Sequence, residues 1–376
     1  MNRSIAILCT SPSNGGLEIS VVRMTQWMQN MGYHVLLICQ TNTPIAHESQ
    51  KKGFEICCIK PRMRYADFFS AWQIKKHLER KNCSLMIIHA NADMNRSILA
   101  KILMRNHLKL IYTQHMQLGL KKTDWFHTWE YSYLDAWITP LKKLALELQK
   151  KTHIDPKKIF QIPHGIDLDK FIDKKPAKNV ARRKLGLPLN ATMLGMVGRF
   201  DRKKGQVLML RAFQKLLHSG FEVKLLIVGE NTLGVSEDYG QFLNRLCHRF
   251  NIQDHVFFRP FMLDVEIAYA AMDVFVMPSS NETYGLVTLE AMAASLPVVA
   301  IHNGGSGEII TNQLDGLLIA PGSVFELTTA LKLLLKTSDL RQSLAKNARR
   351  KAIEFYSHLT QCNNTSILID ELLTST

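Results

Sequence analysis

The chain has 376 residues, is 46% hydrophobic and carries 47 Lys and Arg against 32 Asp and Glu, for a formal net charge of +15. That length and apolar content bury a large core and suit about two domains. No apolar run reaches the ~18 residues of a membrane-crossing helix, and no short repeat points to a solenoid or propeller. The N-terminal MNRSIAILCTSPSNGG reads as a first strand running into a turn rather than as a secretory leader. Seven cysteines, odd in number, scattered and without a C-x-x-C pair, read as reduced thiols of a cytosolic protein.

The charge is uneven. Residues 1–190 hold 30 Lys and Arg against 14 Asp and Glu, whereas residues 191–376 hold 17 against 18. A basic first half suits an anionic membrane leaflet, nucleic acid or an acidic partner. Helix-turn-helix, zinc-finger and RNP-like motifs are missing, so no nucleic acid is expected.

In chain order, SIAILC (4–9), HVLLIC (34–39), SLMIIHA (84–90) and KLIYT (109–113) are short apolar runs expected as strands. Between the first two, GLEISVVRMTQWMQNMG (16–32) has apolar residues at helical spacing and Gly32 as a stop. This βαβ rhythm predicts a parallel sheet. The loop SPSNGGLE (11–18) opens that helix, and Gly15 and Gly16 there let backbone N–H groups approach an anion. His115, in YTQHMQLG (112–119), follows the fourth run. A basic connection, residues 167–190, separates the halves and is read as the hinge.

The rhythm then restarts with TMLGMVG (192–198), VKLLIVGE (223–230), HVFFRP (255–260), VFVMPS (274–279) and PVVAI (297–301). GRFDRKKG (198–205) sets Arg199, Arg202, Lys203 and Lys204 just past a strand end, a good place to neutralise a diphosphate. NETYGLVTLE (281–290) puts Glu282 in a strand-to-helix loop and Glu290 on the helix, expected to begin near Gly285. Two carboxylates beside a helix N-terminus suit a ligand with hydroxyls and an anionic part. The expected domains are 1–175, 176–355 and a C-terminal helix, 356–376, packing back on the first.

Six segments in order resemble the retaining nucleotide-sugar glycosyltransferases of the GT-B fold, family 4 type: GGLE (15–18), IPHGID (162–167), GRFDRKKG (198–205), IVGE (227–230), NETYGLVTLEAMAASLPVVA (281–300) and GGSGE (304–308). The resemblance implies two facing Rossmann-like α/β domains with the active site in the cleft between them. It implies that Arg199 and Lys204 bind the donor diphosphate, Glu290 the ribose hydroxyls and Glu282 the transferred sugar. Gly15, Gly16, Gly229, Thr283, Tyr284, Gly285 and Leu286 would complete the donor site, and His115 would hydrogen-bond the sugar.

The implied reaction moves a hexose or N-acetylhexosamine from a UDP- or GDP-sugar to a lipid-linked or oligosaccharide acceptor. It would run without a metal cofactor, in envelope biosynthesis, on the inner face of the cytoplasmic membrane. The alternatives are a soluble enzyme of the same fold acting on a small sugar, a nucleotide-sugar epimerase, or a non-catalytic nucleic-acid binder. Departures from the family pattern are Ser295, where a glycine usually precedes the Leu-Pro-Val strand, and Thr283, where a smaller residue is usual. Acceptor choice is expected from loops in residues 40–70 and 115–130.

Overall fold

The structure, a computed structural model, describes residues 3–13, 15–231, 238–280 and 282–374. Asn14 and Asn281, which belong to two of the expected ligand loops, lie outside the described residues. The chain divides into two compact units: Met1–His164 with His358–Thr376, and Gly165–Ser357.

The first unit is a parallel sheet of β1 (Ser4–Cys9), β2 (His34–Gln40), β3 (Ile56–Ile59), β4 (Leu85–Ile88), β5 (Lys109–Thr113), β6 (Ala136–Thr139) and β7 (Ile159–Gln161), in the order β3-β2-β1-β4-β5-β6-β7. Side chains alternate between its two covered faces. Ile5, Ile7 and Cys9 pack with Trp27, Met28, Cys362 and Leu368, whereas Ala6 and Leu8 pack with Ile74, Leu78 and Ile98. Burial on both faces is why these strands read as continuous apolar runs rather than alternating ones. Helix His358–Thr374 supplies Cys362 and Leu368, so the C-terminal segment completes this unit's core.

The second unit is a parallel sheet of β8 (Thr192–Val197), β9 (Val223–Val228), β10 (Val256–Arg259), β11 (Val274–Met277), β12 (Val298–Ile301) and β13 (Leu317–Ile319), in the order β10-β9-β8-β11-β12-β13. Helix Gln206–His218 buries Met209, Leu210, Phe213 and Leu216 against it. Both sheets reverse their strand order once, between β1 and β4 and between β8 and β11. Loops leaving the carboxyl ends of strands at such a reversal form the ligand crevice of open α/β sheets.

The structure corrects the placing of a hinge at residues 167–190. That stretch folds into helices Leu168–Ile172 and Lys178–Lys184 within the second unit. Its buried Arg182 donates to the Ala271 carbonyl at 3.0 Å and to Asp273 at 2.7 Å. A guanidinium with those bonds anchors the segment, and the division falls instead after His164 and after Ser357.

Helix Leu286–Ala293 ends close to Ser295, whose φ of 61° is left-handed. A side chain there costs energy that glycine avoids, which is the physical sense of the departure at this position. Ser295→Gly is expected to stabilise the protein by about 0.5–1 kcal/mol after the extra chain entropy of glycine is subtracted. Differential scanning calorimetry should show Tm rising by about 1–4 °C; a fall would mean that the Arg349 bond to the Ser295 hydroxyl, at 3.3 Å, outweighs the strain.

Candidate functional site

In the second unit, three strand-end loops are laced together. The loop after β8 carries Gly198, Arg199 and the single turn Arg202–Lys204; the loop after β11 carries Ser279 to Gly285; the loop after β12 carries Asn303 to Gly305. The Lys203 carbonyl accepts from the Ser280 N–H at 3.0 Å and the Ser279 hydroxyl at 3.2 Å, and Asn303 Nδ2 donates to the Ser280 carbonyl at 2.8 Å. Gly205, at φ 81°, lies so close to Pro278 that a Cβ would sit 2.0 Å from the Pro278 oxygen. Only glycine permits that approach.

Across this junction Lys204 Nζ meets Glu282 Oε2 at 2.7 Å, with the side chains 26% and 16% exposed. The structure thus brings together two residues that stand 78 positions apart. Arg199 is exposed beside them in sequence, and its carbonyl is fixed by Gln206 Nε2 at 2.8 Å. Glu282 and Tyr284 owe their backbone position to Gly304 and Gly305. A Cβ on Gly304 would fall 1.8 Å from the Glu282 oxygen, and one on Gly305 would fall 1.9 Å from the Tyr284 oxygen.

Gly285, at φ 92°, caps helix Leu286–Ala293, so the amides from Leu286 onward open towards the loop. Thr283 is half-buried there, while the Tyr284 side chain is buried. Glu290, on the same helix, is buried and takes the Tyr269 hydroxyl on Oε2 at 2.9 Å. Gly229 follows β9, and a Cβ on it would fall 2.0 Å from the Gly198 carbonyl, so its need for glycine is already met by packing of the β8 and β9 loops.

In the first unit, the loops after β1 and β4 are tied through Asp93, which takes the Thr10 N–H at 2.8 Å and pairs with Arg96 at 3.2 Å. Gly15 precedes helix Gly16–Asn30 and donates its N–H to the buried Glu18 at 2.8 Å, and the Ser11 hydroxyl donates to the same carboxylate. A Cβ on Gly16 would meet nothing within 4 Å, so no packing demands glycine at that position.

His115 is not isolated. His89 follows β4, His115 follows β5, and His164 follows β7. His89 Nδ1 lies 2.9 Å from His115 Nε2, and the His115 and His164 rings stack at 4.9 Å with 13° between their planes. Burial, reinforced by the neighbouring imidazoles, pushes the His89 pKa down to about 3 and that of His115 well below the usual value. Burial pushes His164 down to about 4, partly opposed by a backbone hydrogen bond with Gln114. All three are therefore neutral near pH 7. His89 Nε2 is buried without a partner among the described residues. A bare buried N–H is rarer than a bare acceptor, so the His89 proton is assigned to Nδ1, donating to His115. His115 then carries its own proton on Nδ1.

The sign of the pH effect follows. A histidine whose folded pKa lies below its unfolded value gives stability that is complete above about pH 6.5 and is lost as pH falls towards the folded value. Each contributes a slope of up to about 1.4 kcal/mol per pH unit in that window. Urea unfolding at pH 7, 6 and 5 should show a steep loss in the wild type and a shallower one in His89→Leu; parallel curves would contradict the neutral stack.

Two family models account for most of the chain: glycosyl transferases group 1 over residues 177–351 and glycosyltransferase family 4 over residues 14–170. The chain belongs to the GT-B glycosyltransferases. A solved glycosyltransferase from Rickettsia africae ESF-5 aligns over 99% of both chains at 19% identity with a TM-score of 0.90. HepE of Anabaena, solved with UDP and glucose, aligns over 99% of both chains at 19% identity with a TM-score of 0.82. D-inositol 3-phosphate glycosyltransferase of Salinispora arenicola is 31% identical over 230 residues, which cover 59% of this chain and 51% of the relative. The chain spans about half the length of the curated relatives it matches.

Within this GT-B chain, Arg199, Lys204, Thr283, Tyr284, Gly285, Leu286, Glu290 and Glu282 fall on the β8 and β11 loops and the following helix. Gly229 is on the β9 loop, and Gly15, Gly16 and His115 belong to the first unit. Sequence reasoning missed His89, although it closes an apolar run, and His164, which follows the short β7. It also missed Tyr269 under Glu290 and the supporting Ser279, Ser280 and Asn303. Among the described residues, no group of three or more His, Cys, Asp or Glu is arranged to hold a metal ion.

Proposed function

We propose that this chain is a retaining glycosyltransferase that moves a hexosyl or N-acetylhexosaminyl group from a UDP- or GDP-sugar to a polysaccharide or glycolipid acceptor of the cell envelope. The observation that carries this reading is the Lys204–Glu282 pair at the β8/β11 reversal, a cation for the diphosphate touching a carboxylate for the sugar. Arg199 and Lys204 neutralise the departing nucleoside diphosphate, the electrostatic contribution that is usually the largest in catalysis. When the diphosphate takes Lys204, Glu282 is released to accept sugar hydroxyls. Glu290, whose Oε2 takes the Tyr269 hydroxyl, presents the carboxylate that accepts a ribose hydroxyl. The amides from Leu286 and that of Gly16 supply donors to anionic or hydroxyl oxygens, whereas the Gly15 N–H is held by Glu18.

His115, kept neutral, gives the sugar an Nδ1–H without adding charge. The acceptor attacks on the face that the nucleotide leaves, with no protein nucleophile assigned. Positive charge comes from the Arg199 and Lys204 side chains, so we propose transfer without a metal. UDP in the HepE complexes supports the donor part of the proposal, and likeness to WaaG, a glycosyltransferase involved in lipopolysaccharide biosynthesis, supports the envelope part. The proposed place is the cytoplasmic face of a membrane, as a peripheral protein. No helix among the described residues is long and apolar enough to cross a membrane.

A second reading, transfer to a small phosphorylated polyol, is favoured by the likeness to the D-inositol 3-phosphate glycosyltransferases and by a polar pocket of the first unit lined by Arg64, Asn95, Lys122 and Glu130. Nucleotide release from UDP-glucose, UDP-N-acetylglucosamine and GDP-mannose, with envelope extract or inositol phosphate as acceptor and with EDTA present, tests both. Consumption of one donor undiminished by EDTA is expected. Release from none of them, or a rate abolished by EDTA and restored by Mn²⁺, would contradict the proposal.

A further inference from the structure

Helix Phe68–Arg80 of the first unit is amphipathic in an unusual way. Its core face, Ser70, Ala71, Ile74 and Leu78, is fully buried, yet the outer face of its N-terminal half is aromatic before it turns polar at Lys76, Glu79 and Arg80. Phe68 is 60% exposed, Trp72 one turn later 51%, and Phe69 beside them 42%. Met63 and Tyr65, in the segment leading into the helix, are similarly exposed, and the Tyr65 ring meets Phe126 edge-on at 5.5 Å, next to the 80% exposed Trp125. Single exposed apolar residues are ordinary; several exposed aromatics within one short segment and its neighbour are not.

Cations are threaded through the same face. The Arg62 guanidinium lies 3.8 Å over the Phe69 ring, Arg64 lies 5.5 Å from the Tyr65 centroid and Lys76 5.4 Å from that of Trp72. No carboxylate pairs with these three cations among the described residues. Lys122 lies beside Arg64 at the edge of this face, with the Glu130 carboxylate near both.

We propose that this aromatic and basic face, rather than the lysine pairs elsewhere in the first unit, docks the protein on an anionic lipid bilayer. Trp, Tyr and Phe rings settle at the boundary between headgroups and acyl chains, and the interleaved Arg and Lys meet the lipid phosphates. The exposed Met63 thioether and Phe68 ring suit acyl chains better than stacked bases, so a bilayer fits this face better than a nucleic acid does. The inference deepens the membrane-peripheral part of the function proposed above and rests on it, but its test needs neither donor nor acceptor.

The full-length protein is sedimented with vesicles of phosphatidylcholine alone and of phosphatidylcholine mixed with phosphatidylglycerol. Binding is expected to the mixed vesicles only, with a blue shift of tryptophan fluorescence. Phe68→Ser with Trp72→Ser should weaken it by about tenfold or more, and Arg64→Glu with Lys76→Glu should abolish the preference for phosphatidylglycerol. Lys142→Glu with Lys143→Glu should bind as the wild type does. Circular dichroism and UDP or GDP binding, measured in parallel, establish that each variant is folded and separate a failed docking face from a failed donor site. Unchanged binding by Phe68→Ser with Trp72→Ser would overturn the proposal. So would the absence of vesicle binding from a protein that is a dimer through this face, or displacement from vesicles by a single-stranded oligonucleotide.

Discussion

Lys204→Ala is expected to lower turnover at saturating donor by about 10²–10³-fold, the cost of removing one preorganised group aimed at developing charge. Arg199→Ala should cost a similar amount. Folding should hardly change in either case. The Lys204–Glu282 pair is partly exposed and contributes at most about 1 kcal/mol to stability. Arg199 is exposed, and it is its backbone carbonyl, which survives the substitution, that takes the Gln206 bond. Large kinetic loss with little thermal shift would therefore separate a ligand clamp from a structural ion pair. Steady-state rates and Tm measured on the same preparations decide the matter, and near-wild-type turnover in both variants would remove the clamp.

Gly305→Ala should be at least as damaging by another route. Its Cβ would lie 1.9 Å from a backbone oxygen, that of Tyr284, which cannot swing aside as a flexible side chain can. The turn holding Glu282 and Tyr284 must shift, at a cost of about 1–3 kcal/mol in stability. A displacement of the supporting turn by about 1 Å is enough to lose on the order of 10²-fold in rate. Gly304→Ala adds left-handed strain, at φ 55°, to a 1.8 Å approach. Gly16→Ala is the counterpart, since a Cβ there meets nothing. It should leave Tm unchanged, and any fall in donor affinity or rate then reports close approach of a ligand to that backbone. Calorimetry and initial rates on Gly305→Ala and Gly16→Ala should thus diverge. Equal Tm values would contradict the close approach at Gly305.

Much of the fold was readable because parallel strands covered on both faces leave uninterrupted apolar runs. The expected runs at 4–9 and 109–113 coincide with β1 and β5, and the helix expected from residue 16 begins at Gly16. The strands that escaped notice are β3, β6, β7 and β13, each three or four residues long. Runs that short carry no periodicity of their own, and the four-residue strands that were anticipated, β4, β10, β11 and β12, sit in longer apolar or aromatic stretches. The misplaced hinge has a related cause. Residues 167–190 look solvated by composition, but Arg182 buries its guanidinium against Asp273, a long-range pairing invisible in the local sequence.

The candidate site was legible where the chemistry is local, in the basic turn 202–204 and the Glu282 to Glu290 spacing. It was not legible where partners come from distant strands. Lys204 finding Glu282, Tyr269 finding Glu290, and three histidines gathering from the ends of β4, β5 and β7 are consequences of strand order. His89 stood at a recognisable strand end, so a rule that asks which side chains follow each strand would have found it, whereas His164 follows β7, a three-residue strand that the sequence does not announce.

The proposal that the second unit holds a nucleoside diphosphate sugar, with Glu290 on the ribose, is tested most directly by isothermal titration. The purified protein is titrated with UDP, GDP, ADP and CDP, beside Glu290→Gln. That substitution keeps an oxygen for the Tyr269 hydroxyl while removing the charge. One nucleoside diphosphate is expected to bind, with affinity reduced by roughly 10–100-fold in Glu290→Gln, the value of a hydrogen bond to a charged acceptor. Binding of none of the four, or of one with equal affinity in both proteins, would contradict a donor site built on Glu290.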